Sequence, residues 1–415
     1  MKKALFSLLV IAALLVSGCE KKPGSAAPGK VTIELFSTKP ENQATYQRLI
    51  SAFQAENPDI TVNLMNLPDA GTVLRSRLTK NDIPDLLALG GDANYRDLAD
   101  AGVLMDLSGQ EFLSRINGSY QQMLYDLHTD KSKIPYGIPY AANGSGILYN
   151  RDIFAQYNVA VPETWDALLA AAKTFKAAGV NPFLLTFGDS WTTLPSWNSM
   201  APVLAPANFG VDRAKGTATF FGTHEKILEQ YIQILDLCGN DFMGTGYDDG
   251  NKAFAEGKAA MMINGNWAIA EFLKTNPGMN VDMLTFPSSN DKNRNTITSG
   301  IDVGFAVSAT TKNKDAALKF LEFMTRPEIA QQYVDEQFAF SAVKGVEQNN
   351  PTVQGVKDTI AAGRVSDFID HSYPAGFDLA AILSKFALNY TNKMNSVQNI
   401  RETLQAADTE YNALQ

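Results

Sequence analysis

Three aspartates, Asp92, Asp189 and Asp302, lie where a carboxylate could act as an acid, a base or an acceptor. Hydrolysis of a glycosidic bond would need two such groups about 5–10 Å apart in one cleft. Nothing else in the chain resembles a hydrolase motif, since neither G-x-S-x-G nor H-E-x-x-H occurs. The three histidines, His128, His224 and His371, are far apart, and their spacing fits surface or capping roles better than a metal site. An anion site would want cations converging on a helix N-terminus, and only Lys39 is a candidate. Ferric iron would demand a cluster of Tyr, His and Asp donors that the spacing does not assemble. What remains is non-covalent chemistry. Trp191 and Trp197 share one polar segment after an apolar run, and Trp267 follows Ile263-Asn264-Gly265-Asn266 at a strand-to-helix turn.

The two cysteines read differently from one another. Lys2 and Lys3 precede an almost unbroken aliphatic run over 4–16, the pattern of a secretory leader. That run is too short for a bilayer core, which needs about 20 apolar residues. It ends in Leu15-Val16-Ser17-Gly18-Cys19, which resembles the bacterial lipobox and implies that Cys19 is lipidated rather than catalytic or disulfide-bonded. Residues 20–29 hold no large apolar side chain and read as a flexible tether. Cys238 is then the one thiol left, at the end of an apolar-periodic helix, and is expected to be a small buried hydrophobe.

Composition narrows the classes further. Loss of Lys2 and Lys3 with the leader takes the formal charge from −9 to −11. An acidic chain without a Lys/Arg cluster argues against nucleic-acid binding. With 45% hydrophobic residues, the roughly 385 residues after the tether can bury a large core, long enough to suggest two lobes. Alternation over 31–37, helical spacing of Tyr46, Leu49, Ile50 and Phe53, alternation over 60–67, a helix over 72–79 and a buried strand over 85–89 give a β-α-β-α-β start. This is the pattern of an α/β lobe with a parallel sheet. Extended pieces follow at 135–138, 139–142 and 146–150, and then a helix over 162–178 capped by Thr164 and stopped by Gly179. A second α/β series covers 182–187, 225–238, 250–255, 259–263 and 267–274. Strands at 281–286 and 302–308, a helix pair over 314–324 and 327–338, and a helix over 377–389 complete it.

Six segments in order carry a resemblance over nearly the whole chain. They are L-F-S-T-K at 35–39, A-E-N-P-D-I-T-V at 55–62, P-D-L-L-A-L-G-G-D at 84–92, Y-G-I-P-Y-A-A-N-G-S-G-I-L-Y-N at 136–150, F-A-E-G-K-A-A-M-M-I-N-G-N-W at 254–267 and G-F-A-V-S-A at 304–309. In this order, behind a lipobox, they resemble the family 1 extracellular solute-binding proteins, the group that includes the maltose-binding protein. The resemblance implies a two-lobed periplasmic-binding-protein-like fold, each lobe a mostly parallel sheet flanked by helices. One lobe would comprise 31–142 and 301–338, the other 143–300 and 339–415. Chain crossings are expected near Ala142, Ser299–Asp302 and 338–341.

It also implies a monomeric receptor without cofactor that holds a carbohydrate between closing lobes and passes it to ABC permease subunits. Pyranose rings offer an apolar C–H face and a rim of hydroxyls, so their site needs flat aromatic platforms and short polar side chains. By family position Trp267 stacks on the ligand, although an indole packed in the lobe core also fits. Trp191 is favoured over Trp197 for the cleft, with Asp189 either accepting hydroxyls or solvated. Asp92 suits hydroxyl binding and helix N-capping alike. Thr38 and Lys39 supply polar contacts. Asn143 stands where the maltose-binding protein has a glutamate, and Asp302 is either a ligand contact or a buried hinge polar group. In the segment H-S-Y-P-A-G-F, Tyr373 and Phe377 fit packing against C-terminal helices better than a third platform. The rivals are an exported carbohydrate hydrolase or lyase and a receptor for a non-sugar solute such as a polyamine, a phosphorylated polyol or iron. Anchoring to the outer face of the cell membrane makes its own forecast. Cys19→Ser is expected to move the protein out of the carbonate-washed membrane fraction, and retention there with full leader cleavage would refute lipidation.

Overall fold

The computed structural model describes residues 30–66, 70–130, 132–374 and 376–414. The leader, Cys19 and most of the tether lie outside the described residues. Among the described residues ten strands form one sheet: β1 (Val31–Ser37), β2 (Ile60–Asn66), β3 (Leu86–Leu89), β4 (Ile138–Asn150), β5 (Asn181–Leu184), β6 (Ala259–Gly265), β7 (Val281–Leu284), β8 (Ile297–Val307), β9 (Phe340–Ser341) and β10 (Val365–Ser366). The main order is β2-β1-β3-β8-β4-β6-β5, with β7 and β9 on β4 and β10 on β8. The expected parallel pairs occur, β1 against β2 and β3, and β5 against β6. Between them β4 and β8 run antiparallel to each other and to β3 and β6.

Alternation along the strands explains where the core sits. Ile33, Leu35, Leu86 and Ala88 face a cluster with Tyr46, Phe53, Phe320 and Tyr333. Their neighbours Phe36, Leu87 and Leu89 face the opposite cluster with Tyr95, Leu98 and Leu124. The far end of the sheet repeats the arrangement: Ile147, Tyr149, Met261 and Ile263 point to one cluster, and Leu148, Leu184 and Met262 to another. Helices cover both faces, so these strands are apolar on both sides, as buried sheets require.

The long strands belong to both ends. β8 pairs with β3 through Gly304–Val307, and with β10 through Ile297 and Thr298. β4 pairs with β8 from Ile138 to Ser145, with register shifts around Ala141, and its later half pairs with β6 and β7. The three extended pieces read at 135–150 are therefore mostly one strand. The Asn143-Gly144-Ser145-Gly146 stretch looks like a turn but serves close packing, since a Cβ on Gly146 would sit 2.5 Å from the Leu284 carbonyl oxygen.

Two further readings change. Residues 194–204, whose first part reads as a polar segment, form a helix with Pro in its first turn, where Pro is tolerated. Its Ser196, Asn198 and Ser199 are buried together with Trp197, which is 1% exposed. His128 and His224 are buried rather than on the surface. His224 stacks on Trp197 at 5.2 Å, and burial lowers its pKa to about 3. Cys238 lies just past the helix Glu225–Leu237, partly buried, and burial pushes its thiol up to about 11.

One side chain ties two crossing segments together. Asn266, 2% exposed, accepts from Gly144 N–H of β4 at 2.5 Å and donates to the Phe338 carbonyl at 2.9 Å, just before β9. Removing it strands two buried backbone groups, each costing about 1–3 kcal/mol. Asn266→Ala is therefore expected to lower unfolding stability in denaturant by about 2–4 kcal/mol, with unchanged far-UV circular dichroism. A loss below experimental error would refute this brace.

Candidate ligand-binding cleft

The long strands β4 and β8 each have one residue that is not buried. In β4 it is Asn143 and in β8 it is Asp302. Both face a cavity of about 780 Å³. Around it converge the ends of other strands: Thr38 and Lys39 after β1, Gly90 and Asp92 after β3, and Trp267 after β6. Ligand sites of open α/β sheets collect at such carboxyl ends. Trp191 and Tyr247 complete the wall, their rings 4.9 Å apart at 59°.

The cavity thus brings together Thr38, Lys39, Asp92, Asn143, Trp191, Trp267 and Asp302. Asp189 is not among its lining residues and instead accepts from the Tyr247 N–H at 2.6 Å, fastening its loop to the helix Tyr247–Ala255. Asp92 combines both of its readings. One oxygen caps the helix Ala93–Asp100 by accepting from Asn94 and Tyr95 N–H, while the carboxylate lines the cavity. The Thr38 hydroxyl donates to the Ala88 carbonyl.

At the centre, Lys39 Nζ lies 2.6 Å from Asp302 Oδ1, and Asn143 Nδ2 donates to the same oxygen at 3.1 Å. Burial opposes the charge on Lys39, but Asp302, Glu41 and Asp92 outweigh it and raise its pKa. Glu41 is shifted upward by the crowding of protein around it, against the pull of Lys39. Asn143 Oδ1 and Trp267 Nε1 are buried without a partner among the described residues. An acceptor and a donor left unpaired are each a standing demand of about 1–3 kcal/mol that a ligand's hydroxyl could meet.

Trp267 is partly buried, and its ring lies against Gly265. A Cβ on Gly265 would fall 2.0 Å from Trp267 Cζ3. Gly265 has φ −128° and ψ 175°, a conformation any residue adopts, so it is contact with the indole and not the backbone that excludes a side chain there. The glycine seats the ring.

Several lining residues carry no sequence signal of their own: Glu41, Tyr247, Asp248, Glu271 and Asn198. Phe368 and His371, stacked at 5.1 Å and 23°, line the cavity, and His371 is the first residue of the H-S-Y-P-A-G-F segment. Tyr373 is 2% exposed, and Phe377 packs on Phe220 at 5.6 Å.

The sequence pattern of bacterial extracellular solute-binding proteins matches residues 37–331. The chain belongs to that family. It is 31% identical over 363 residues to the multiple sugar-binding protein of Streptococcus mutans, covering 84% of this chain and 85% of the relative. It is 25% identical over 348 residues to the melibiose/raffinose/stachyose-binding protein MelE of Bacillus subtilis, covering 81% and 80%. Among solved structures, the solute-binding protein RafE in complex with raffinose superposes with a TM-score of 0.77 at 28% identity, over 91% of this chain and all of that one. The apo form of RafE from Streptococcus pneumoniae gives 0.74 at 26% identity, over 93% and 100%. This solute-binding chain thus shares the two-lobed α/β architecture of its family.

The seating of the indole can be tested without a ligand. Overpacking costs about 1–3 kcal/mol, and that is the expected loss for Gly265→Ala by chemical denaturation. The same substitution in a Trp267→Ala background is expected to cost almost nothing. Equal losses in both backgrounds would show that the ring is not what excludes the side chain.

Proposed function

We propose that this solute-binding protein captures a neutral oligosaccharide between its lobes and delivers it to an ABC importer, without performing chemistry on it. The observation that carries the reading is the pairing of wall types around one cavity. Trp267, seated on Gly265, and the exposed Trp191 provide flat apolar surfaces. Asp92, Asp302 and the free Asn143 Oδ1 provide acceptors for hydroxyls, and Lys39 provides donors. Sugar-binding relatives support the same ligand class.

The lobes are taken as 31–142 with 301–338, and 143–300 with 339–415. In this division Lys39 and Asp92 belong to one lobe and Trp191 and Trp267 to the other, so a bound sugar touches both and favours the closed form. Closure then presents the matched surface to the permease. Cys19 holds the monomeric receptor at the outer face of the membrane through its lipid, and the tether gives it reach. No cofactor is required.

Stacking a sugar face on Trp267 would remove about 100 Å² of apolar surface from water, contributing roughly 2.5 kcal/mol. Calorimetric titration with raffinose and related neutral oligosaccharides is therefore expected to show a loss of about 50- to 100-fold for Trp267→Ala. The variant should stay folded, and solution scattering of the native protein should show a smaller radius of gyration with ligand. Normal affinity combined with a badly lowered melting temperature would make Trp267 a core residue instead.

A further inference from the structure

The charges around the cavity are lopsided. Six carboxylates line it, from Glu41, Asp92, Asp248, Glu271, Asp302 and Asp370. Against them stand His371 and one primary amine, Lys39, and no arginine is among the lining residues described. Lys39 is not available as a free cation. Its ammonium rests 2.6 Å from Asp302, with side-chain exposures of 28% and 11%. Asp302 is in turn held from the neighbouring strand by Asn143 Nδ2 at 3.1 Å. Asp302 sits on β8 and Asn143 on β4, so the acceptor is fixed by the sheet rather than by a loop.

We infer that the Lys39–Asp302 pair makes this cleft a charge filter, which admits neutral saccharides and rejects those carrying a carboxylate, phosphate or sulfate. This rests on the oligosaccharide reading above. A lone lysine at the end of β1 would attract an anionic ligand. Paired with Asp302, it keeps two N–H donors for ligand hydroxyls but loses its net charge. An anion entering the cavity would then meet the other carboxylates with nothing to compensate it, and like charges placed together cost several kcal/mol. The pair therefore contributes directional hydrogen bonds while the surrounding acids set the sign of what is excluded, the repulsive element that specificity often needs.

The test compares raffinose with the same trisaccharide whose terminal galactose is oxidised to galacturonate, by calorimetric titration of the mature protein. The native receptor is expected to bind the acid at least about 100-fold more weakly. Asp302→Asn keeps the shape of the side chain but frees Lys39. It is expected to narrow the discrimination by about 10-fold or more, with an absolute gain for the acid that fades at high salt. Adding Lys39→Met to Asp302→Asn should remove that gain. Lys39→Met alone leaves Asp302 uncompensated and should favour an analogue bearing an amine in place of one hydroxyl. Equal native affinity for raffinose and its acid would overturn the filter, as would an Asp302→Asn variant that binds raffinose measurably and leaves the ratio unchanged. A native protein that binds neither raffinose, its acid nor any other neutral oligosaccharide would instead remove the reading on which the filter stands.

Discussion

The antiparallel pairing of β4 with β8 is the constraint from which the rest of the architecture follows. Both strands are long enough to serve both ends of the sheet, and their register fixes each end relative to the other. Because helices cover both faces, almost every side chain on these strands is buried. Only in the middle, between the flanking cores, can a polar side chain reach water without leaving the sheet. Asn143 and Asp302 occupy that window. The cleft is thus a gap left in the covering of a continuous sheet, and its most rigid polar groups come from the sheet itself.

Rigid placement matters because partly buried charges are costly unless they are paired and hydrogen-bonded. Asp302 meets both conditions, with Lys39 as counter-charge and Asn143 as donor. Asp92 is similarly occupied on one side by the two N–H groups of a helix start. The carboxylates that bear on a ligand are therefore held before it arrives, which spares the entropy of ordering them. The aromatic side is prepared in the same way, with one indole seated on a glycine and another resting against Tyr247.

Much of this was legible in the sequence, and the failures have physical causes. The opening β-α-β-α-β pattern, the cap at Thr164 and the helix Lys314–Met324 follow from alternation, helical spacing and short-range hydrogen bonds, which act within a few residues. Asn143 and Trp267 could be singled out because an ordered set of motifs placed them, and Asp302 because it is a polar residue between Ile301 and Val303 at an expected crossing. Trp191 is favoured over Trp197 in the sequence, but the burial of Trp197 is not legible there, since the helix carrying it buries serines and an asparagine that look solvated. His128 and His224 do stand at helix ends, as the capping alternative has it, but their burial is hidden for the same reason: aromatic partners brought together by the fold supply their surroundings. Glu41, Glu271 and His371 reach the cavity from separate elements, and no spacing along the chain records that convergence.

Sharing β8 between both ends of the sheet also governs how the chain comes to be folded. Strand β3 lacks its inner neighbour until residues 304–307 are in place, and the early part of β4 lacks its partner until 298–305 arrive. Pairings of such long sequence separation form late, after loop closure has been overcome. A chain emerging from its amino end therefore carries two unfinished parts of the sheet, with open edges that invite wrong partners, until nearly three quarters of it has appeared. Because one strand completes both halves, the completion of each is coupled to that of the other.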